Sequence, residues 1–338
     1  MRRIEWLDFG KGFTILFVVI AHVLEGLYLS GNYASDREFF QITLGLVFTF
    51  IMPVFFALSG YLYKKITDWH DFGQMLYKKL VALGIPYVFF SILYVFLQHF
   101  SSGVNNAYSW TNLLYIWRDP VSYLWFLYDL FFIFVFLGLL DLIFKDDRVI
   151  AGIVVICFLL GLFLPLGWIN GTFIWGLPFY LGRVFRLHGK LLDQKWLLGL
   201  SLVVLVVSLF IQYNSMDNFY LTNGFTLKTT ISKIASVIVF FYLFKHLSSG
   251  NTVFRKFSDY GLTSMTIYMV HGPVLSALRI ILFRFGLTNV ILQIILGLLI
   301  TWFVSTIVMN WLSDHLKIVQ FLLYPRQILD KYVLKSSH

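Results

Sequence analysis

Ten separated apolar runs constrain this chain more than any other feature. About 20 apolar residues cross the hydrocarbon core of a bilayer. On that ruler, spans fall at 12–30, 41–63, 78–98, 123–144, 149–166, 172–187, 196–213, 229–247, 262–284 and 289–312. Lipid offers no partner to an exposed peptide group, so each run must close its hydrogen bonds internally as a helix. Only 13% of the 338 residues are charged, about half the share of a soluble domain. The expected fold is an all-α membrane protein, a polytopic bundle of about ten transmembrane helices. Residues 1–313 form the transmembrane body. Residues 314–338 mix apolar positions with Lys317, Arg326, Asp330, Lys331 and Lys335, the pattern of an amphipathic tail on the cytoplasmic interface, interrupted at Pro325. The fifth and sixth runs are short and meet at Leu166-Gly167-Trp168-Ile169-Asn170-Gly171, so one is expected to tilt or re-enter. The first run lacks a small-residue cleavage site and is expected to stay as a helix rather than leave as a signal peptide.

Charge placement gives the orientation. Arg37, Arg118, Lys228, Lys233, Arg279 and Arg284 fall toward one side of the bundle, and the other twenty of the 26 Lys and Arg fall toward the opposite side. Cytoplasmic loops carry the excess of Lys and Arg, so both termini are expected in the cytoplasm. The same asymmetry accounts for the net charge of +9 without invoking nucleic acid, and no basic stripe with interleaved aromatics lies outside the apolar runs. Cys157 is the single cysteine, which excludes an intrachain disulfide. Metal-ligand spacings, phosphate-binding glycine loops and nucleophile elbows are absent, so neither a metal nor a resident cofactor is expected. The outer segment 99–122 is rich in Asn, Ser, Trp and Tyr and long enough for a lid or a surface for an external substrate.

A few residues break the apolar pattern where chemistry is the natural explanation. His22 sits deep in the first run, with Lys11 eleven positions before it and Glu25 three after. Eleven residues are close to three helical turns, so Lys11 and His22 share a face roughly 16 Å apart, and Asp8 and Glu25 fall near that face. A titratable imidazole inside a membrane helix is costly and marks a functional site. A carboxylate beside it can fix its tautomer and support its charged form, which suits a general base. His271 stands at a similar depth in the ninth run, in Tyr268-Met269-Val270-His271-Gly272-Pro273, where proline kinks the helix and frees backbone carbonyls. Asp129 lies one turn inside the fourth run, with Trp125 placed for the outer aromatic belt. Ser59-Gly60, after Pro53 in the second run, permits close helix approach, and Ser59 has no base beside it in sequence. Lys78, Lys79, Arg183 and Arg186 stand at cytoplasmic helix ends, where they serve as anchors or as a cradle for an anionic phosphate donor.

These pieces, in this order, resemble the acyltransferase-3 family of bacterial integral-membrane acyltransferases across nearly the whole chain. The resemblance rests on Trp6-Leu7-Asp8-Phe9-Gly10-Lys11-Gly12 followed by His22, which match the family's basic residue, ten spacers and histidine. It continues through Phe50-Ile51-Met52-Pro53-Val54-Phe55-Phe56, Ser59-Gly60-Tyr61-Leu62, Leu124-Trp125-Phe126-Leu127, and Tyr268 with His271. It implies a multi-pass protein of the bacterial cytoplasmic membrane. The implied activity is transfer of an acyl group, often acetyl, from cytoplasmic acyl-CoA to a hydroxyl of a cell-surface or lipid-linked glycan, with room for glycan-synthesis proteins as partners. His22 matches the family's essential histidine, Lys11 its basic partner, and Lys79 a basic position after the second span. Where relatives often carry an Arg three residues on, ahead of the proline matching Pro86, this chain has Ala82. Many relatives carry a soluble esterase-like domain after the membrane part; none is seen in this sequence, so transfer is expected to be completed by the chain itself or by a separate protein.

On this reading His22, oriented by Glu25 or Asp129, deprotonates the acceptor or takes the acyl group itself, and Lys11, Lys79 and Arg183 meet the donor's phosphates. Two alternatives stay open. Buried ionisable residues also mark transport paths, so an exporter or flippase of a glycan precursor fits part of the pattern, although no inverted repeat is detectable. A membrane module that binds a ligand for a partner enzyme is the third.

Overall fold

In the computed structural model, residues 3–99, 108–216, 219, 224–247, 250–326 and 328–329 are described. They form helices, turns and irregular connections, with no strand among them. The helices are α1 (Glu5–Leu29), α2 (Arg37–Tyr61), α3 (Trp69–Lys79), α4 (Ile85–His99), α5 (Trp125–Ile143), α6 (Asp147–Phe163), α7 (Asn170–Leu187), α8 (Lys195–Ser215), α9 (Leu227–His246), α10 (Thr252–Leu262), α11 (Ser264–Arg284), α12 (Val290–Phe303), α13 (Met309–His315) and α14 (Lys317–Leu323).

Eight helical stretches are long and apolar enough to cross a membrane: Glu5–Leu29, Ala34–Tyr61, Trp69–His99, Ser122–Ile143, Lys195–Ser215, Leu227–His246, Ser264–Arg284 and Val290–His315. They correspond to eight of the ten expected runs. The other two form α6 and α7. The 17 residues of α6 rise only about 26 Å, short of the roughly 30 Å hydrocarbon core, and α7 is diluted by Asn170, Pro178, Arg183 and Arg186. The third stretch begins at Trp69, ahead of its apolar run, because α3, with no buried residue, continues through a π turn at Leu80–Gly84 into α4. After α14 the helix stops at Tyr324, before Pro325, as the restricted backbone preceding a proline requires. The tail's Asp330, Lys331 and Lys335 lie outside the described residues, as do 100–107 of the outer segment.

The surface of these helices is inverted relative to a soluble protein. In α8 the buried residues are Ser201 and Gln212, while Val203, Val206, Phe210 and Ile211 point outward. In α12 the buried residues are Gln293, Gly297 and Thr301, with Ile291, Leu299 and Phe303 outside. Apolar surface of this extent would aggregate in water and suits lipid. The chain is a multi-pass membrane protein.

Two compact units divide the chain. One comprises Met1–Lys64 and Ala151–Ser264, the other Lys65–Ile150 and Met265–His338. In the first unit, glycines let helix pairs cross in backbone contact. A Cβ on Gly12 would stand 1.9 Å from the Phe257 carbonyl oxygen, and one on Gly261 1.8 Å from that of Asp8, so α1 and α10 touch reciprocally. The same reciprocity joins α2 to α7, where a Cβ on Gly60 would meet the Phe179 oxygen at 1.8 Å and one on Gly182 the Ala57 oxygen at 1.9 Å. Close packing of this kind is the main attraction between helices in lipid, where burial against a partner gains little over burial against tails. An aromatic core of Phe9, Phe241, Phe244 and Phe254 fills the space beside these crossings, with Phe9 stacked on Phe254 at 4.7 Å.

Each unit also contains a proline inside a helix and a donor from another helix that compensates for it. In α2, Pro53 cannot donate to the Thr49 carbonyl, and Ser236 Oγ of α9 reaches it at 3.2 Å, sharing its proton with the Lys233 carbonyl at 2.7 Å. In the second unit, Pro273 of α11 leaves the Met269 carbonyl without its usual donor, and the Tyr123 hydroxyl supplies one at 2.7 Å. An orphaned carbonyl in an apolar interior costs about as much as a lost hydrogen bond, so these repairs fix which residues pack against each break.

Candidate active site

His22 lies on α1 in the first unit, with about a quarter of its side chain exposed (28%). Its Nδ1 is 3.1 Å from Glu25 Oε2. A carboxylate only accepts, so neutral His22 carries its proton on Nδ1, and Nε2 keeps a lone pair for an incoming proton. One helical turn separates the two residues, the spacing that brings side chains onto one face. The structure brings the two side chains into contact, as their spacing in the sequence leads one to expect.

At the N-terminal end of the same helix, buried Asp8 stands between two cations. Arg3 Nε donates to Asp8 Oδ2 at 3.0 Å, and Lys11 Nζ is 3.8 Å from Asp8 Oδ1. Arg3 also reaches Asp259 of α10 at 3.5 Å, and its hydrogen bond to Asp8 holds the guanidinium above its ordinary range. Asp8 therefore keeps a partner even when Lys11 turns away. Lys11 and His22 share α1, as their spacing required.

Two other basic residues of this unit, Arg183 and Arg186, are engaged locally. Arg183 is buried in α7 with its guanidinium 5.3 Å from the Tyr63 ring and 5.6 Å from the Tyr180 ring. Arg186 donates to the Tyr61 and Tyr63 carbonyls at 3.3 and 3.0 Å, closing the C-terminal end of α2. Ser59 Oγ donates to the Phe55 carbonyl at 3.0 Å, a helix-internal bond typical of packing serines.

The second unit gathers Tyr123, Tyr268 and His271. The Tyr268 hydroxyl donates to the Tyr123 carbonyl. His271 is fully buried, its Nδ1–H donates to the Ile267 carbonyl at 3.1 Å, and its ring meets that of Tyr123 edge-on at 4.9 Å. Gly272 leaves room for the Tyr123 ring, which a Cβ there would strike at 2.3 Å. Trp125 is the first residue of α5 and is half-buried. Asp129 is buried in α5, near enough to Tyr87, Tyr128 and Tyr268 to act on them electrostatically, with no hydrogen-bond or ionic partner among the described residues. Lys78 Nζ donates to Gln74 Oε1 at 3.2 Å, and Lys79 Nζ stands 3.5 Å over the Phe134 ring. Among the described residues, no group of three or more His, Cys, Asp or Glu is arranged to hold a metal ion.

Two participants escaped the sequence reading. Lys233, counted with the outer charges, is fully buried in α9. Tyr123 looked like the edge of an apolar run. The signal for both was the in-helix proline: each break demands a donor, and these residues supply it or flank the one that does.

The chain matches the family model described as an acyltransferase domain over residues 4–310. It belongs to the acyltransferase-3 family. Among curated proteins, it is 28% identical over 134 residues to nodulation protein NolL of Mesorhizobium japonicum, a match covering 39% of this chain and 35% of that protein. It is 32% identical over 126 residues to nodulation protein NolL of Sinorhizobium fredii, covering 36% and 32%. The matched stretch thus spans about a third of the length of these relatives. No solved structure matches the chain.

Proposed function

We propose that this protein transfers an acyl group, acetyl above all, from acyl-CoA to a hydroxyl of a cell-surface or lipid-linked glycan, with His22 as general base. The His22–Glu25 contact carries this reading, and membership of the acyltransferase-3 family supports the reaction class. The acceptor hydroxyl gives its proton to His22 Nε2 while its oxygen attacks the thioester carbonyl. Glu25, on Nδ1, holds the ring in place and supports its transient charge. The carbon–sulfur bond then breaks, the proton passes to the departing sulfur, and the products are an ester and free CoA thiol.

Lys11 is the cation assigned to the donor's phosphates. It stands on the same helix as His22, and Arg3 retains Asp8 when Lys11 moves to an incoming phosphate. Lys78, Lys79, Arg183 and Arg186 are secondary to it, because each is already engaged by a neighbouring side chain, ring or carbonyl. Asp129, Trp125, Tyr268 and His271 line or brace the second unit. The positive-inside pattern supports ten spans with both termini in the cytoplasm, α6 and α7 being the short pair, in the bacterial inner membrane.

The test uses the source organism with this gene deleted, then complemented with wild type or with His22→Ala at matched membrane levels. Surface and lipid-linked glycans are examined by mass spectrometry for base-labile acyl esters. An ester that disappears on deletion and returns with wild type alone is expected. Unchanged esters, with a glycan accumulating inside the cell, would replace acyl transfer with export.

A further inference from the structure

Lys233 is a fully buried lysine in α9, and a buried charge in a membrane bundle is retained at a cost to stability. Among the described residues it has no carboxylate partner. Its Nζ donates to the Phe48 carbonyl of α2 at 2.8 Å and lies 5.6 Å from the Phe225 ring. One turn along α9, the Ser236 hydroxyl shares its one proton between the Lys233 carbonyl of its own helix at 2.7 Å and the Thr49 carbonyl at 3.2 Å, the carbonyl that Pro53 leaves without a donor. Thr49 Oγ1 in turn donates to the Gly45 carbonyl at 2.8 Å. Three carbonyls of α2 within a little over one turn are therefore held by side chains.

That stretch lies level with His22. The helices α1 and α2 run antiparallel, because Phe17 meets Phe50 at 5.3 Å while Tyr28 meets Gln41 at 3.1 Å. Interpolating between these contacts sets His22 level with Gly45 to Val47, within about one helical turn of the carbonyl that Lys233 holds. A proline-broken helix is otherwise free to swing at its break. Lys233 and Ser236 remove that freedom at the end of the break nearer the proposed base.

We propose that Lys233 is a positioning residue for acyl transfer: its terminal amino group, with Ser236, locks the Pro53 break of α2 and so fixes the helix wall near the level of His22. The proposal rests on the acyl-transfer reading above. It explains why α9 keeps a buried lysine where an apolar side chain of similar length would be expected to add stability.

The test uses membrane vesicles from the deletion strain carrying wild type, Lys233→Met, Ser236→Ala, Pro53→Ala or the Pro53→Ala/Ser236→Ala double variant, with radiolabelled acetyl-CoA as probe. Label entering base-labile ester is followed over a range of acetyl-CoA, and detergent-solubilised protein is melted in parallel. Lys233→Met is expected to melt at or above the wild-type temperature, with turnover down about tenfold to a hundredfold, the scale of a small misplacement at a reacting centre, and its acetyl-CoA KM unchanged. Pro53→Ala restores a backbone donor to Thr49, so Ser236→Ala should cost less turnover in that background than in wild type. Lys233→Met at wild-type turnover overturns the proposal. So does a Lys233→Met that loses turnover only in proportion to lost folded protein, or a Ser236→Ala effect identical in both backgrounds. If Lys233→Met does not accumulate, the Ser236 comparison decides alone. Wild-type vesicles that incorporate no label would instead refute the acyl-transfer reading, a result separate from either variant's.

Discussion

His22 and His271 are imidazoles within apolar helices, yet their surroundings differ. His22 is part-exposed and its Nδ1 meets a carboxylate at 3.1 Å. His271 is wholly buried and its Nδ1 meets a backbone carbonyl, also at 3.1 Å. Distance does not separate them; the charge of the Nδ1 partner and the degree of burial do. A carboxylate can balance an imidazolium, so His22 can accept and return a proton. A carbonyl fixes the tautomer without balancing a charge, so on the proposed function His271 is a packing element beside the Pro273 break. A histidine at membrane depth is thus a signal of function only when its partner is read with it.

The largest effect should come from removing each ring in turn. His22→Ala should lower turnover by about 10²–10⁴-fold, the usual loss with a general base, and leave membrane abundance and melting unchanged. His271→Ala should do the reverse, opening a cavity among Tyr123 and Tyr268 that costs about 2–4 kcal/mol of stability, as other large-to-small core changes do. Both variants are measured by label incorporation per folded protein and by melting in detergent. A His271→Ala protein that is stable but inactive would erase the contrast and place His271 in the chemistry.

A narrower change tests the carboxylate itself. Glu25→Gln keeps a hydrogen-bond acceptor for Nδ1 but not the charge, and turnover should fall about tenfold to a hundredfold, a fraction of the full base effect. Glu25→Gln at the wild-type rate would mean that Glu25 only orients the ring. The contrast with His271, whose Nδ1 meets a backbone carbonyl, would then lose its meaning.

How much of this was legible in the sequence follows from which interactions are local. The helical spans were, because lipid leaves an apolar run no other structure, and Lys11, His22 and Glu25 were, because all three lie on one helix at spacings that a helix fixes. The proline breaks were visible too. What the breaks recruit was not, since Ser236 reaches Thr49 and Tyr123 reaches Met269 across 187 and 146 positions of chain. Lys233 was misplaced for a related reason: counting charges toward helix ends takes no account of which way a side chain points, and its Nζ reaches the Phe48 carbonyl inside the bundle. The glycine crossings were half legible. Gly60 read as a close-approach residue, whereas its partner Gly182 and the pair Gly12–Gly261 gain meaning only once the helices are in contact.

The smallest expected effect isolates the structural side of the comparison. Tyr123→Phe keeps the ring that packs on Gly272 and His271 and removes only the hydroxyl that serves the Met269 carbonyl. That carbonyl would be left buried without the donor that compensates for Pro273, and such a loss costs about 1–3 kcal/mol. The melting temperature should drop by a few degrees, the scale of such a change in a chain of this length, with turnover per folded molecule almost unaltered. Because the ring remains, a change in turnover could not be blamed on lost packing. A Tyr123→Phe protein that melts normally but turns over slowly would reveal the hydroxyl as part of the chemistry. The second unit would then hold a working proton donor of its own, and the division of labour between the two histidine regions would have to be redrawn.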